Sequence, residues 1–458
     1  MKPDRPDAPA VPDLRPAYWF SAFNALSFQV VLAGPMVLYA KTLGASATVL
    51  GIVTGMMPLL TISQIPAANH IDRVGYRRFV IGGWTTRVVF IFLMALVPLS
   101  GGLLSPAARL VLMLMLLFCF NLSRGISSCA WLPWITGLVP IESRGRYLAR
   151  DQVFMNSASF ACFLVIALLF GAGSVLPVPP RDWQFALAFL FSATMGALSL
   201  RFLRRMPDAP VPPGEDNRRR GVPWLELAAH PPFRRLLELD AIWSLAYGGL
   251  TTFIVAFLKA GSNLGDGTIL ALMSVQFLGG LGAMWFGGRR LDLHGSKPAF
   301  GFITLTGLVV CGGWFLLAGR VMEPGAGWVL ALILPLGLLN ALFSAANNRL
   351  AMAIVPQMGR NHFFALYTVV WQVTLGLSPM LWGLVIDLVG DGGGVRFGLD
   401  WNRYSVFFGL VVLAFGAAFL QSRRLEEPRA AGVETLLREI FLQDPQRVVN
   451  RILARFGS

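Results

Sequence analysis

Long apolar stretches and short polar gaps alternate along this chain almost from end to end. Apolar runs lie near residues 17–40, 48–68, 79–99, 108–131, 153–175, 184–203, 236–258, 267–287, 298–319, 327–351, 363–386 and 403–421. Each approaches the roughly twenty residues an α-helix needs to cross a hydrocarbon core. The pattern predicts an all-α membrane protein with 12 transmembrane helices. Residues 1–16 are polar and rich in Pro and Asp, without the basic opening and short apolar stretch of a cleaved signal peptide. The run from Ala17 is therefore expected to act as an uncleaved insertion signal.

Composition agrees. The chain is 55% hydrophobic and 14% charged, whereas a soluble protein carries about a quarter charged residues. A net charge of +14 raises the question of nucleic-acid binding. The basic residues, however, collect in every second gap rather than along one face. With the N-terminus placed inside, 29 Lys and Arg fall on the inner side and 7 on the outer side, while Arg87 and Arg124 lie within spans. The asymmetry predicts a multi-pass protein of the inner (plasma) membrane with both termini cytoplasmic and no nucleic-acid partner. Cys119, Cys129, Cys162 and Cys311 sit in or beside apolar runs without zinc spacing. Neither a nucleotide-binding loop nor a catalytic triad is legible, so no enzyme, cofactor or metal is expected.

The stretch 204–235 is the long inner connection, and it divides the spans six and six. Two loop motifs recur across it. Asp72-Arg73-Val74-Gly75-Tyr76-Arg77-Arg78 follows the second span, and Gly288-Arg289-Arg290-Leu291-Asp292-Leu293-His294-Gly295-Ser296-Lys297 follows the eighth. Val139-Pro140 with Arg144 follows the fourth span, and Val355-Pro356 with Arg360 the tenth. The expected organisation is an N-terminal tail at 1–16, a six-helix bundle at 17–205, a linker at 206–235, a second bundle at 236–422 and a tail at 423–458. Two six-helix pseudo-repeats of this kind recur among transporters. The tail from Val433 reads as two short amphipathic helices, the second opened by Asp444-Pro445, that lie on the cytoplasmic leaflet.

These loops resemble the signature of the major facilitator superfamily, roughly G-x-L-x-D-R-x-G-R-R. The first copy supplies Asp72, Arg73, Gly75, Arg77 and Arg78, and the second Gly288, Asp292, Gly295 and Lys297. Ala68 stands where the family prefers Gly, and Tyr76 is an extra residue before the arginine pair. The resemblance spans nearly the whole chain. It implies the major facilitator fold, with these residues forming a cytoplasmic gating latch. The span-5 sequence from Val153 lacks the Gly-Pro-rich antiporter motif. A Pro-Glu-Ser-Pro-Arg-like sequence after span 6 is also missing, which disfavours drug–proton antiport and the main sugar-porter branch.

In that family helices 1, 4, 7 and 10 line the central cavity. Polar side chains within a membrane usually face such a space or another helix. Here they fall into stripes at helical spacing. These are Ser21, Asn24 and Ser27; Asn121, Arg124, Ser128 and Trp131; Asp240, Trp243, Tyr247 and Thr251; and Asn340, Ser344 and either Asn347 or Asn348. Spans 5 and 11 add Gln152, Asn156 and Ser159, then Tyr367, Trp371, Thr374 and Ser378, and Gln372 is a further amide of span 11. Gln29 falls off its stripe and suits a helix contact. Arg124 is the most informative of these, about 22 Å along an ideal helix from Arg109. It meets an anionic substrate, or it pairs with Asp151 or backbone carbonyls. Arg87 sits on a helix peripheral in the family, where a structural role is expected. Trp131, Trp243 and Trp371 with amides suit a sugar equally well. Asp240 is the candidate for proton coupling.

The expected function is therefore a monomeric secondary transporter, working by alternating access. It would move a small polar organic solute, either an organic anion or a sugar. The lipid bilayer and a coupling proton would be its other partners. A non-transporting sensor or assembly factor on the same fold is the alternative.

Overall fold

The computed structural model describes residues 14–68, 70–139, 144–171, 180–208, 230–354, 360–390 and 394–427. Among them, 12 helices are long and apolar enough to cross a membrane. We label these α1 (Arg15–Thr42), α2 (Ala47–Ala67), α3 (Tyr76–Gly102), α4 (Pro106–Ile135), α5 (Arg150–Leu169), α6 (Asp182–Leu203), α7 (Pro231–Gly261), α8 (Asp266–Ala283), α9 (Ser296–Ala318), α10 (Ala326–Ala351), α11 (Leu366–Val389) and α12 (Arg403–Arg423). Helical backbone continues past several of these bounds, to His294 after α8 and to Ile354 after α10. A two-stranded ribbon pairs Val395–Arg396 with Leu399–Asp400 between α11 and α12. Each apolar run predicted from the chain falls on one of these helices, the fifth over its described part as far as Leu169. The expected terminal tails lie almost wholly outside the described residues, as do Pro140, Pro356 and most of the linker.

Local chemistry sets the helix starts. Ser105 accepts a hydrogen bond from the Ala108 amide with Pro106 in the first turn of α4, and Asn402 accepts from Tyr404 and Ser405 at the head of α12. The outward faces are as apolar as the buried ones. Along α4, Val111, Met115 and Phe118 are exposed while Met113, Leu117 and Phe120 are buried. That is the expected state of a helix packed on protein on one side and lipid on the other.

The helices fall into two compact units, one comprising residues 1–220 with 263–274, the other 221–262 with 275–458. In the first, α1 packs on α5 and α6, and α3 on α4 and α6. In the second, α7 packs on α11 and α12, and α9 on α10 and α12. The second set is the first shifted by six helices, as two six-helix pseudo-repeats require. Two further features repeat. Each half breaks its first helix, α1 at Ala33 and α7 at Gly248 and Gly249. Carbonyls freed by a break inside lipid need partners, and α11 supplies them. The Ser378 hydroxyl donates to the Gly248 carbonyl at 3.2 Å, and the Trp382 indole to Leu245 at 2.6 Å.

The other repeated feature is the turn before the third helix of each half. Gly75 has φ +82° and ψ 152°, and Gly295 φ +90° and ψ 177°. Side-chain-bearing residues rarely adopt this region. The two motif copies thus build the same turn. Of the latch side chains, those of Asp72 and Asp292 fall outside the described set.

Candidate functional site

In the first half the predicted polar residues gather where α1, α3 and α4 meet. Asn24 of α1 accepts hydrogen bonds from the Trp84 indole at 3.2 Å and the Arg87 guanidinium at 3.4 Å. Arg87 is 3% exposed. Its guanidinium lies 4.7 Å from the Trp84 ring centre and 5.1 Å from that of Phe120, a cation–π arrangement. Its Nε has no hydrogen-bond partner. Trp131 packs on Phe20, Trp84 and Trp134. Asn121 is buried; its amide donates to Leu117 at 3.0 Å and its Oδ1 is unpartnered.

Arg124, half-buried, lies within electrostatic reach of Arg87. Among the described residues no carboxylate pairs with it, and Asp151 instead lies by Ser21 of α1. Of the alternatives open for Arg124, the pair with Asp151 is therefore not formed. The reason lies in the packing: Asp151 faces α1 beside Tyr147, whose buried phenol is pushed well above its ordinary range by desolvation and by that carboxylate. Arg87, expected to be a peripheral structural residue, belongs to this cluster. Close contact of α3 with α4 brings it there: Ser123 donates to the Gly83 carbonyl at 3.1 Å, and a Cβ at Gly83 would stand 2.1 Å from that of Ser127.

Other polar side chains within the spans are spent on helix contacts. Gln29 donates to Ser159 of α5 at 2.9 Å, as its off-stripe position suggests, and Gln64 of α2 to Ser128 at 3.0 Å. Asn156 is half-buried on α5.

In the second half Asp240 and Asn347 are fully buried and joined by a hydrogen bond of 2.6 Å. Trp243 is 1% exposed and stacks on Phe343 at 3.9 Å and on Tyr247 at 5.3 Å between ring centres. The Tyr247 hydroxyl donates to the Leu336 carbonyl at 3.3 Å. This stretch of α7 faces α10 and α12 of its own half, so Trp243 packs within the bundle, and no ring of it is open to a sugar in this conformation. Asn340 is exposed on α10, and Trp371 and Gln372 are half-buried on α11, where Trp371 lies 5.8 Å from Tyr367.

The end of this half where α9 begins and α12 finishes holds a cluster that no sequence pattern pointed to. The Glu427 carboxylate, 4% exposed, accepts from the backbone amides of Ser296 and Lys297, both at 2.7 Å, and from Arg349 at 2.7 Å. It caps α9 as an anion at a helix N-terminus does. A Cβ at Gly295 would stand 3.0 Å from both its oxygens. A carboxylate soon after the last span was the only sequence signal for it.

A model of the Major Facilitator Superfamily matches residues 17–379. No curated protein sequence compared with the chain matches it. Solved structures share its fold at low identity. The nucleoside transporter NupG superimposes with a TM-score of 0.63 at 12% identity, over 89% of this chain and 98% of its own. The E. coli xylose transporter XylE, in an inward open conformation, gives 0.66 at 13%, over 92% and 97%. A POT family transporter in complex with 5-aminolevulinic acid gives 0.68 at 12%, over 90% and 96%.

Proposed function

Since the chain belongs to the Major Facilitator Superfamily, a family of secondary transporters, we propose that it carries a small organic anion across the inner membrane by alternating access. One observation supports the anion above all: Arg124 is a membrane-embedded guanidinium that no described carboxylate neutralises. Such a charge is costly in a low-dielectric setting unless a counter-charge arrives. A planar carboxylate or phosphate suits the fork of a guanidinium. Arg87, within electrostatic reach, adds to the positive field, and Asn24, Asn121, Trp131 and Asn156 are proposed as further amide and ring contacts for the solute. The burial of Trp243 weighs against a sugar.

The bundles 17–205 and 236–422 are proposed as the moving bodies, with both termini cytoplasmic on the strength of the basic-residue asymmetry. The loops at Asp72, Arg73, Gly75, Arg77 and Arg78, and at Gly288, Asp292, Gly295 and Lys297, are proposed to steady one access state. Thermal-shift measurement of the purified protein against panels of organic anions and sugars tests the reading. An anion is expected to raise the melting temperature of the wild type and of Arg109→Gln, whose outer ion pair with Asp182 at 2.8 Å lies elsewhere. Arg124→Gln is expected to lose the shift. Loss of a charge-assisted contact worth about 1.5–3 kcal/mol corresponds to roughly 10- to 150-fold in affinity. Stabilisation by a sugar alone, undiminished in Arg124→Gln, rejects the anion.

A further inference from the structure

We infer that Asp240 carries a proton in this conformation, held as a carboxylic acid against the side-chain amide of Asn347. The inference deepens the transporter reading by naming a proton site in the second half, but its chemistry stands without the anion. Asp240 lies on α7 and Asn347 on α10, and both are 0% exposed. Asp240 Oδ1 accepts from Asn347 Nδ2 at 2.6 Å. Two oxygens are then left over: Asp240 Oδ2 and Asn347 Oδ1 are both buried with no hydrogen-bond partner.

The hydrogen-bond inventory explains the pair. An ionised carboxyl offers acceptors alone, whereas a primary amide offers a donor and an acceptor. An ionised Asp240 therefore satisfies the amide nitrogen and leaves the amide oxygen facing nothing that can donate. One proton on Oδ2 changes this. The acid then donates to the amide oxygen while its other oxygen accepts from the amide nitrogen, closing a ring of two hydrogen bonds. Buried polar groups are rarely left unmatched, and this single proton matches both.

No neighbouring charge offers another solution among the described residues. The helices that make most of the packing on α7 are α10, α11 and α12, and α9 meets it through Trp314 against Phe257, bringing the buried thiol of Cys311 to that side and no carboxylate. From α10, Arg349 is spent on Ser296 at 3.2 Å and Glu427 at 2.7 Å. From α11, Tyr367 lies in the field of Asp240, and its hydroxyl points toward Asn348 at 3.5 Å. From α12, Phe415 meets Trp243, and Gln421 donates to Glu238 of α7 at 2.7 Å. Arg234 is turned to Glu238 and Arg235 to Glu426. An ionised Asp240 would thus be a buried anion without a cation, a costly state. The consequence for transport is direct: α7 and α10 are joined by a bond that is complete only when the proton is bound. Its loss leaves two bare oxygens between them and favours their separation or the entry of water.

Infrared difference spectroscopy of the full chain in lipid nanodiscs, titrated from acid to alkaline pH, tests this. A protonated-carboxyl C=O band is expected to persist at neutral pH in the wild type and to be lost in Asp240→Asn. The latter is isosteric with the neutral acid and is expected to keep the wild-type melting temperature. In Asn347→Leu the band is expected to shift, because the amide donor is gone. An Asp240→Asn spectrum matching the wild type at neutral pH overturns the proposal. An unshifted band in Asn347→Leu overturns the role of Asn347. Neither reading uses uptake or added solute, so failure here is distinct from failure of the anion assignment.

Discussion

Where α6 ends, backbone carbonyls hold the departing chain. Arg77 of α3 donates to the carbonyl of Arg204, and the Trp134 indole of α4 donates to that of Pro207 at 3.0 Å. Where α12 ends, a carboxylate does the corresponding work. Glu427 takes the first amides of α9 and the guanidinium of Arg349 on α10. In both halves the chain leaving the sixth helix is tied to the third and fourth. The place of the tie follows from the repeated packing, which brings the same helix ends together twice. The chemistry of the tie does not follow from it: one half uses neutral acceptors and the other a buried charge. The membrane interiors differ in the same way. Around Arg124 the first half has positive charge without a described counter-charge, while the second buries the acid Asp240 against an amide. A shared scaffold thus leaves the electrostatics of each half free to diverge.

The comparison predicts unequal sensitivity. Glu427→Ala should cost most, about 3 kcal/mol, because it strands Arg349 and uncaps α9; the estimate sits at the low end for a buried pair since the Arg349 side chain is 35% exposed. Glu427→Gln, which keeps an acceptor, should lose less. Thermal unfolding in detergent, read alongside yield from the membrane, measures both. Equal stability of Glu427→Ala and wild type would erase the distinction between the two ties. Trp134→Phe in the first half keeps the ring and removes one neutral hydrogen bond, so about 1 kcal/mol is expected from the same unfolding curves. A loss matching that of Glu427→Ala would show that the first tie is as strong as the second. The smallest effect should come from Gln29→Leu. It deletes a helix-to-helix hydrogen bond of a kind that averages about 0.6 kcal/mol in membrane proteins, and a much larger loss would mean that Gln29 does more than join α1 to α5.

The number of helices and their positions were legible in the residues themselves. A hydrocarbon core demands about twenty apolar residues for each crossing, and such runs survive any detail of packing. The glycine turns at Gly75 and Gly295 were legible too, since a positive φ selects glycine strongly enough to mark the chain twice. The helical stripes showed which faces are polar. They did not show what each face meets. Trp243 and Tyr247 share a period with Asp240 and Thr251, yet the fold presses Trp243 against Phe343 and brings Tyr247 within reach of Leu336. Asp240 meets Asn347 across 107 residues, and Arg349 meets Glu427 across 78. Local periodicity reports direction around one helix axis and nothing about the neighbour on the other side. Whether a buried charge ends in a pair, an aromatic sandwich or an unmatched cluster was decided by tertiary packing, because only packing brings distant groups within hydrogen-bonding distance.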